Sequence, residues 1–236
     1  MSVSTENIFH RLARNAAQGK RKFVSLYRAH GLWDALRAAW RNLFLIETVC
    51  RLEKDLAIPD FPVMPAVPLQ IETLNSASDL TTWQGRKEIL ALRGEYGMEQ
   101  FHARLKRGDL CFTAYSEGGF AGFVWLEFPP GNEAGYPLQP HEAYTYDGWT
   151  FETFRGKRVL PVIQQSIMGY VRAHHANIRT LVTHVAVWNK PSLSGDQRAG
   201  YVLRRLERTV MILGVHRKQI LSANIPAELL LRHNMP

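Results

Sequence analysis

The stretch Trp149–Pro161, WTFETFRGKRVLP, decides the fold that this sequence predicts. Aromatic residues typical of a strand run into a basic turn containing a glycine, and the turn leads into a helical pattern. A helix N-terminus exposes unpaired N–H groups and a partial positive charge, so it binds phosphate when the preceding backbone can come close. Gly156 gives that access, and Arg155, Lys157 and Arg158 add positive charge. The sequence therefore predicts a phosphate-binding strand–turn–helix unit.

The residues that follow this unit predict a parallel crossover. Apolar side chains recur at helical spacing from Leu160 to Val171, which indicates a helix with one inward face. The next run, RTLVTHVAVW, is almost continuously apolar and favours a strand that is buried on both faces. A strand, a helix and a buried strand in succession make the two strands parallel neighbours.

The preceding segment predicts helices and an antiparallel hairpin. We expect a strand from Leu69, a helix from Ser78 or Asp79 to about Leu92, and a second helix over roughly 98–106. The runs LCFTAY and FAGFVWLEF flank SEGG, a strong hairpin signal because glycine accepts positive φ. AYTYDGWTF is predicted to be the next strand, a helix is expected after NKPSLSGDQ, and TVMIL and HRKQIL are expected to form a hairpin around Gly214. In total, six or seven strands are expected.

The N-terminal segment predicts a helix followed by a linker. Apolar residues from Trp33 to Leu43 form a helical stripe, and we expect helix from Val24 to about Asp55. The four prolines of IPDFPVMPAVP then predict an extended linker. Of the net charge of +8, six units lie within residues 1–46, which favours a polyanionic partner for this part of the chain.

Composition excludes several classes of protein. With 46% apolar and 21% charged residues, the chain of 236 residues is typical of a soluble globular protein, and no run approaches the length of a membrane span. Cys50 and Cys111 lie far apart without a secretory signal, so a reducing cytoplasm is expected. The histidines show no metal-ligand spacing, so no metal is expected. A ribonucleoprotein-type motif is absent, so nucleic acid is not the expected partner.

The turn and the element order resemble the GNAT superfamily of acyl-CoA-dependent N-acyltransferases. That family places a pyrophosphate loop, Gln/Arg-x-x-Gly-x-Gly/Ala, between a strand and a helix, and the matching window here is Arg155–Leu160. A second landmark, NKPSLSGDQRAGYV, is similar to the family's Asn-x-x-Ser/Ala followed by Gly-Phe/Tyr, with Asn189, Ser192, Gly200 and Tyr201 in place. The resemblance covers about residues 69–221, and Arg158 and Leu160 depart from the loop's glycines.

The resemblance implies an α/β fold and a domain organisation. A mixed, mostly antiparallel sheet is expected, with a central parallel strand pair flanked by helices. Residues 1–56 would be a basic amphipathic helical extension, 57–68 a linker, 69–222 the acyltransferase-like domain and 223–236 a tail. The extension could pack on this domain, form a homodimer, or lie on an anionic membrane at the inner face; similar basic leaders accompany some bacterial GNAT-like proteins thought to act in surface-polysaccharide assembly.

The resemblance also implies the cofactor-binding residues. Acetyl-CoA, or another acyl-CoA, would bind along the strand that ends near Phe151, with backbone groups polarising the thioester carbonyl. The expected cofactor-binding residues are Trp149, Phe151, Arg155, Gly156, Lys157, Arg158, Val159, Leu160, Asn189 and Ser192. Asp196 stands where the family often has a tyrosine that protonates the leaving thiolate, and an ionised carboxylate cannot donate that proton.

The expected reaction is direct transfer of acetyl to a primary amine of a small molecule, such as an amino sugar. A neutral amine is needed, so a base must remove a proton. Asp147 and Glu142 are the candidates, with Tyr146 and Tyr144 as second choices, and Asp147→Asn is expected to cut turnover with little change in acetyl-CoA affinity. The alternative function is a non-catalytic GNAT-like module that binds acyl-CoA or a protein partner.

Overall fold

Residues 44–131, 133, 137–212 and 215–222 are described by a computed structural model, and they form one eight-stranded sheet with helices on both faces. The strands are β1 (Phe44–Asp55), β2 (Gln70–Leu74), β3 (Leu110–Ser116), β4 (Gly119–Glu127), β5 (Glu142–Thr150), β6 (Thr180–Ala186), β7 (Val202–Ile212) and β8 (Val215–Ser222). The helices are α1 (Arg86–Arg107), α2 (Val159–His174) and α3 (Lys190–Arg198), with 3₁₀ turns at Asp79–Thr81 and Glu152–Phe154. The strand order is β2-β3-β4-β5-β6-β1-β7-β8.

The predicted parallel crossover is confirmed. β5 and β6 pair in parallel from Glu142↔Thr180 to Thr145↔Thr183, and α2 connects them. All other neighbouring strands pair antiparallel, including the predicted β3–β4 and β7–β8 hairpins. The β3–β4 turn contains Gly118 at φ 74°, a conformation that glycine adopts without steric cost.

The expectation of helix up to Asp55 is wrong. Residues 44–55 form β1, which lies inside the sheet between β6 and β7 and raises the strand number to eight. The helical stripe ends at Leu43, and from Cys50 the pattern alternates: Cys50 and Leu52 are fully buried in the core under α2, while Arg51 and Glu53 project to the other face. The remainder of the expected extension, residues 1–43, lies outside the described residues.

The proline-rich segment contains neither helix nor strand, and it joins two strands of the same sheet. It runs from β1 along α2 to β2 and is tied to α2 by side chains. Arg172 Nε donates to the Leu56 carbonyl at 2.9 Å, and Gln165 Nε2 donates to the Phe61 carbonyl at 2.6 Å. Lys54, which is 3% exposed, lies 2.9 Å from the Asp60 carboxylate. The domain boundary expected at residue 69 therefore falls within the folded unit.

The predicted helices differ from the observed ones mainly at their starts. α1 begins at Arg86 and is interrupted at Gly94 (φ 66°), which separates the two helices that the sequence predicts here. The helix expected after NKPSLSGDQ is formed by that segment itself, because Asn189 caps it and Pro191 lies in its first turn. Among the described residues, no helix has both the length and the apolar character that crossing a membrane requires.

Two cores hold the helices to the sheet. An aliphatic core lies between the sheet and α2, with Ile163, Ile167 and Val171 fully buried. An aromatic core lies under α1, where Phe101 contacts Trp125 edge-on with ring centroids 4.8 Å apart. Successive side chains at the middle of β5 and β6 point alternately to the face of the sheet under α2 and to the face under α1.

Candidate active site

A β-bulge in β5 opens the sheet. Trp125 of β4 pairs with Tyr146 and Phe123 pairs with Trp149, so three residue steps on β5 face two steps on β4. The extra residue is accommodated at Asp147, whose φ is 49°. Pairing of β5 with β6 ends at Thr145↔Thr183, directly before this bulge. The two parallel strands therefore separate beyond Thr145.

A cavity of about 180 Å³ lies at this separation. It is lined from β4 and β5, from β6, and from the two helices that follow these strands. The lining residues are Val124, Tyr146, Asp147, Gly148, Leu160, Gln164, Thr183, His184, Val185, Ala186, Asn189, Ser192 and Asp196. Leu160 belongs to the first turn of α2, so the cavity reaches the start of that helix.

The start of α2 presents free backbone donors. No described residue accepts a hydrogen bond from the N–H groups of Gly156, Arg158, Val159 or Leu160. Lys157 N–H is used within the turn, where it donates to the Phe154 carbonyl at 3.2 Å. Four amides beside three basic side chains match the chemistry that a diphosphate requires.

The two departures from the glycine loop have distinct consequences. Arg158, the residue before α2, adopts the left-handed conformation (φ 63°) that a glycine would take at lower cost. Its side chain is exposed and donates to the Met64 carbonyl at 3.1 Å, on the segment that precedes β2. Leu160 lines the cavity and contacts α3, where a Cβ at Gly195 would lie 2.8 Å from Leu160 Cδ2. The close packing of α2 on α3 thus depends on Gly195.

The backbone groups expected from Trp149 and Phe151 point the other way. Phe151 N–H donates to the Ala121 carbonyl of β4, and alternation in an antiparallel pair directs the groups of Trp149 to β4 as well. Thr150 lies between them, so its N–H and C=O face the gap left by β6. The side chains of Trp149 and Phe151 pack in the aromatic core, where the ring centroids of Phe151 and Phe120 are 5.2 Å apart. Thr150 and Gly148 therefore border the gap in place of the expected pair.

Asn189 and Ser192, which the sequence predicts as neighbouring cofactor-binding residues, both line the cavity. Asn189 caps α3 by accepting a hydrogen bond from the Ser192 N–H at 3.3 Å. Of the basic residues expected near the cofactor, Arg155 and Lys157 lie over aromatic rings of the turn: Arg155 is 5.8 Å from the Trp149 ring centroid, and Lys157 Nζ is 5.1 Å from that of Phe154.

Asp196 lies at the floor of the cavity and is 3% exposed. Gln164 Nε2 donates to its Oδ1 at 2.9 Å, and Gln164 Oε1 accepts from the Tyr201 hydroxyl at 3.0 Å. Burial raises the pKa of Asp196 to about 7, against the opposing effect of the Gln164 hydrogen bond. The expectation that this carboxyl is simply ionised is wrong, because a large fraction carries a proton at neutral pH.

Asp147 is held in an ion-pair network with α1. Its two carboxylate oxygens accept from Arg93 at 2.7 and 2.8 Å, and Arg104 also donates to it. Burial opposes ionisation, yet the hydrogen bonds and charges of Arg93 and Arg104 outweigh it and lower the pKa of Asp147. A carboxylate with a lowered pKa is a weak base. This geometry argues against the general-base role that the sequence suggested for Asp147.

Glu142 and Tyr146 are also engaged. Glu142 lies at the start of β5, remote from the gap, and is paired with Arg51 at 2.9 Å. Tyr146 lines the cavity, and its hydroxyl donates to Asp109 at 2.5 Å. Burial, with the charge and hydrogen bond of Asp109, raises the pKa of Tyr146 against the influence of Arg104. Glu142 is therefore an unsuitable base by position, and Tyr146 is a proton donor at neutral pH.

The lining residues that the sequence analysis did not predict include Gln164 and His184. Gln164 faces the cavity from the inner side of α2, and its position in the helical stripe next to Ile163 and Ile167 is a signal of burial. His184 lies on β6, two residues after Val182 and on the same face. No local spacing in the sequence links it to Glu207, whose carboxylate lies 3.2 Å away.

Comparisons with known proteins concern the fold. No protein-family model matches the chain, and no curated protein matches it. Among solved structures, an acetyltransferase of the GNAT family from Colwellia psychrerythraea is similar with a TM-score of 0.51 and 10% identity, over 83% of this chain and 72% of that chain. A tandem GNAT protein from the clavulanic acid biosynthesis pathway has a TM-score of 0.47 and 19% identity, over 73% of this chain.

This chain spans only about half (55%) of that tandem GNAT protein. The mixed sheet with its parallel β5–β6 pair, flanked by helices, matches the fold of the Colwellia acetyltransferase. The chain therefore has the fold of the GNAT acetyltransferases.

Proposed function

We propose that this protein is an acyl-CoA-dependent N-acyltransferase that moves an acetyl group from acetyl-CoA to a primary amine of a small molecule. The observation that carries the proposal is the cavity between β5 and β6, which lies at the gap in the sheet and is bordered by Leu160, one of the four residues with free amides at the start of α2. A diphosphate fits these amides, and an extended arm fits the unpaired edge of β5. An amino sugar is the first acceptor class to test.

The residues of the chain supply distinct parts of this reaction. Bound acetyl-CoA would provide an activated thioester. The backbone of Thr150 faces the gap, where a preorganised N–H donor stabilises developing negative charge on a carbonyl oxygen by a few kcal/mol. Asp196 at the cavity floor has a pKa of about 7, and its protonated form would donate the proton to the leaving thiolate. The aliphatic and aromatic walls, including Val124 and Leu160, exclude water.

The proposal is tested by binding and by thiol release. Purified protein should bind coenzyme A in calorimetry and release free thiol from acetyl-CoA only when an accepted amine from a panel of amino sugars and small amines is present. Binding without thiol release for any amine would favour the non-catalytic alternative. No binding of coenzyme A would contradict both functions.

Gly148→Val tests whether the cavity is the binding site. A Cβ at position 148 would lie 3.4 Å from Leu160 and Val124, which is ordinary contact, so the fold should tolerate the side chain while the cavity is filled. We expect coenzyme A binding and thiol release to be lost. Gly169→Val, on the exposed side of α2 with open space around it, is the matched control and should bind as the wild type does. Equal binding by the two variants would exclude this cavity.

A further inference from the structure

The face of the sheet opposite Asp196 carries a second group of titratable side chains at the same gap. Along β5 and β6, Thr145 and Thr183 project towards α2, and Tyr144 and His184 project to the other face. His184 lines the cavity, so the cavity has Asp196 on one side of the sheet and an imidazole on the other. The acyl transfer described above requires two proton movements, one to the thiolate and one away from the amine.

We propose that Tyr144, His184 and Glu207 form a proton relay that removes the proton from the acceptor ammonium, an inference that rests on the proposed function. Tyr144 Oη lies 3.2 Å from His184 Nδ1, and His184 Nε2 lies 3.2 Å from Glu207 Oε2. In this relay His184 carries its proton on Nε2, the nitrogen nearer to Glu207, and Nδ1 accepts from the Tyr144 hydroxyl. Three strands, β5, β6 and β7, thus contribute one member each.

Removal of the ammonium proton involves two linked proton transfers, one to Tyr144 and one from Tyr144 to His184. The ammonium of the acceptor gives a proton to the Tyr144 oxygen as the phenolic proton passes to His184 Nδ1. The neutral amine is left to attack, and the resulting imidazolium faces the Glu207 carboxylate. Burial, with the surrounding carboxylates Glu133, Glu127 and Glu207, raises the pKa of Tyr144, so the phenol must lose its proton in concert with the one it gains.

The charges around His184 support an imidazole that gains a proton. Glu207 is 2% exposed, and its other carboxylate oxygen accepts from Arg205 Nε at 2.8 Å, which orients it towards the ring. Arg51 of β1 is the cross-strand neighbour of His184, and its charge is balanced by Glu53 at 2.6 Å and Glu142 at 2.9 Å. The side chain of His184 is 7% exposed, so its carboxylate partner acts with little screening by water.

The position of Tyr144 completes the relay. Its ring is stacked on that of Tyr146, with centroids 5.7 Å apart and an interplanar angle of 3°, and Tyr146 lines the cavity. The Tyr144 hydroxyl is one hydrogen bond away from His184, which lines the cavity as well. The relay therefore borders the cavity at His184 and lies beside Tyr146.

The test compares Tyr144→Phe, His184→Gln and Glu207→Gln with two accepted amines of different basicity. With a strongly basic amine, each variant should lose about 10²–10⁴-fold in kcat/KM, because the proton must be removed before attack. With an amine that is already neutral at the assay pH, the loss should be at least tenfold smaller. The acidic limb of the kcat/KM profile should move to lower pH in Glu207→Gln, because the carboxylate that favours the protonated imidazole is gone.

Controls separate this inference from the proposed function. Coenzyme A affinity should be unchanged in all three variants, and Glu72→Gln on the distant strand β2 should leave rates and pH profile unchanged. Equal losses with both amines, or an unshifted profile in Glu207→Gln, would overturn the relay and leave the acyltransferase function intact. Full activity of Tyr144→Phe would also overturn it. Absence of transfer by the wild type would instead refute the proposed function, and the relay with it.

Discussion

Asp147 shows how a single residue can look catalytic in sequence and serve the structure instead. Its carboxylate joins the β5 bulge to two arginines of α1, and its side chain is 22% exposed. Asp147→Asn would leave Arg93 and Arg104 facing each other without a counter-charge. We expect the free energy of unfolding at pH 7 to fall by about 3 kcal/mol. Urea unfolding at equilibrium measures this loss.

The ion pairs of Asp147 with Arg93 and Arg104 also determine how the stability of the protein should change with pH. The folded-state pKa of Asp147 is lowered, so its stabilising contribution is present above the unfolded-state pKa of about 4 and is lost as pH falls through the folded-state value. The difference between wild type and Asp147→Asn should therefore shrink towards pH 3. Glu152→Gln, which removes an exposed pair with Arg155, should change stability little at either pH. Equal stability of wild type and Asp147→Asn at pH 7 would refute this role.

The contribution of Asp196 to stability is expected to change with pH in the opposite direction to that of Asp147. Its pKa is raised in the folded state to about 7, so its contribution to stability is greatest below the unfolded-state pKa and declines as pH rises to about 7. Asp196→Asn removes the cost of burying a charge and should stabilise the fold above pH 7, by about 4 kcal/mol at most. The same variant should have lower turnover, because it cannot donate a proton. Thermal unfolding at pH 6 and pH 8 checks the stability change, and thiol-release kinetics check the turnover. If Asp196→Asn were less stable than the wild type at pH 8, the raised pKa of Asp196 would be contradicted.

At the scale of the element, the start of α2 depends on backbone conformation. Gly156 has φ 78° and open space around it, so a side chain there is opposed by the backbone alone. We expect Gly156→Ala to lower the free energy of unfolding by about 1 kcal/mol and to weaken coenzyme A binding, because the free amides turn away. Gly169→Ala, in the same helix, should raise stability by about 1 kcal/mol and leave binding unchanged. Calorimetry and urea unfolding of the two variants distinguish these effects, and intact coenzyme A binding by Gly156→Ala would argue against the amide site.

At the scale of the whole molecule, β1 makes the sheet continuous. It pairs with β6 over Val49–Asp55 and with β7 over Phe44–Glu53, and it places Cys50 and Leu52 in the core. A truncated chain that lacks residues 1–56 would expose the edges of β6 and β7 and lose these side chains. We expect it to show no cooperative unfolding by circular dichroism. A cooperative transition in that truncated chain would show that β1 is dispensable.

The sequence by itself determined the features that short segments encode. The basic turn around Gly156, the inward stripe of α2 and the glycine of the β3–β4 hairpin depend on neighbours within a few turns of chain, so their patterns were visible. The parallel pairing of β5 and β6 followed from the succession of a strand, a helix and a buried strand, which forms a crossover connection. Asn189 and Ser192 were predicted together from the motif that resembles the GNAT superfamily, and they lie together because Asn189 accepts a hydrogen bond from the Ser192 N–H at the start of α3.

Only the tertiary structure decided which side chains carry protons and where β1 belongs. The pKa of Asp196 is raised because the side chain is buried beneath α2, and the pKa of Asp147 is lowered because α1 brings two arginines to it. His184 meets Glu207 only because β6 and β7 lie on either side of β1. Burial and the charges near a titratable group come from residues remote in the chain, and for this physical reason no local pattern could reveal them.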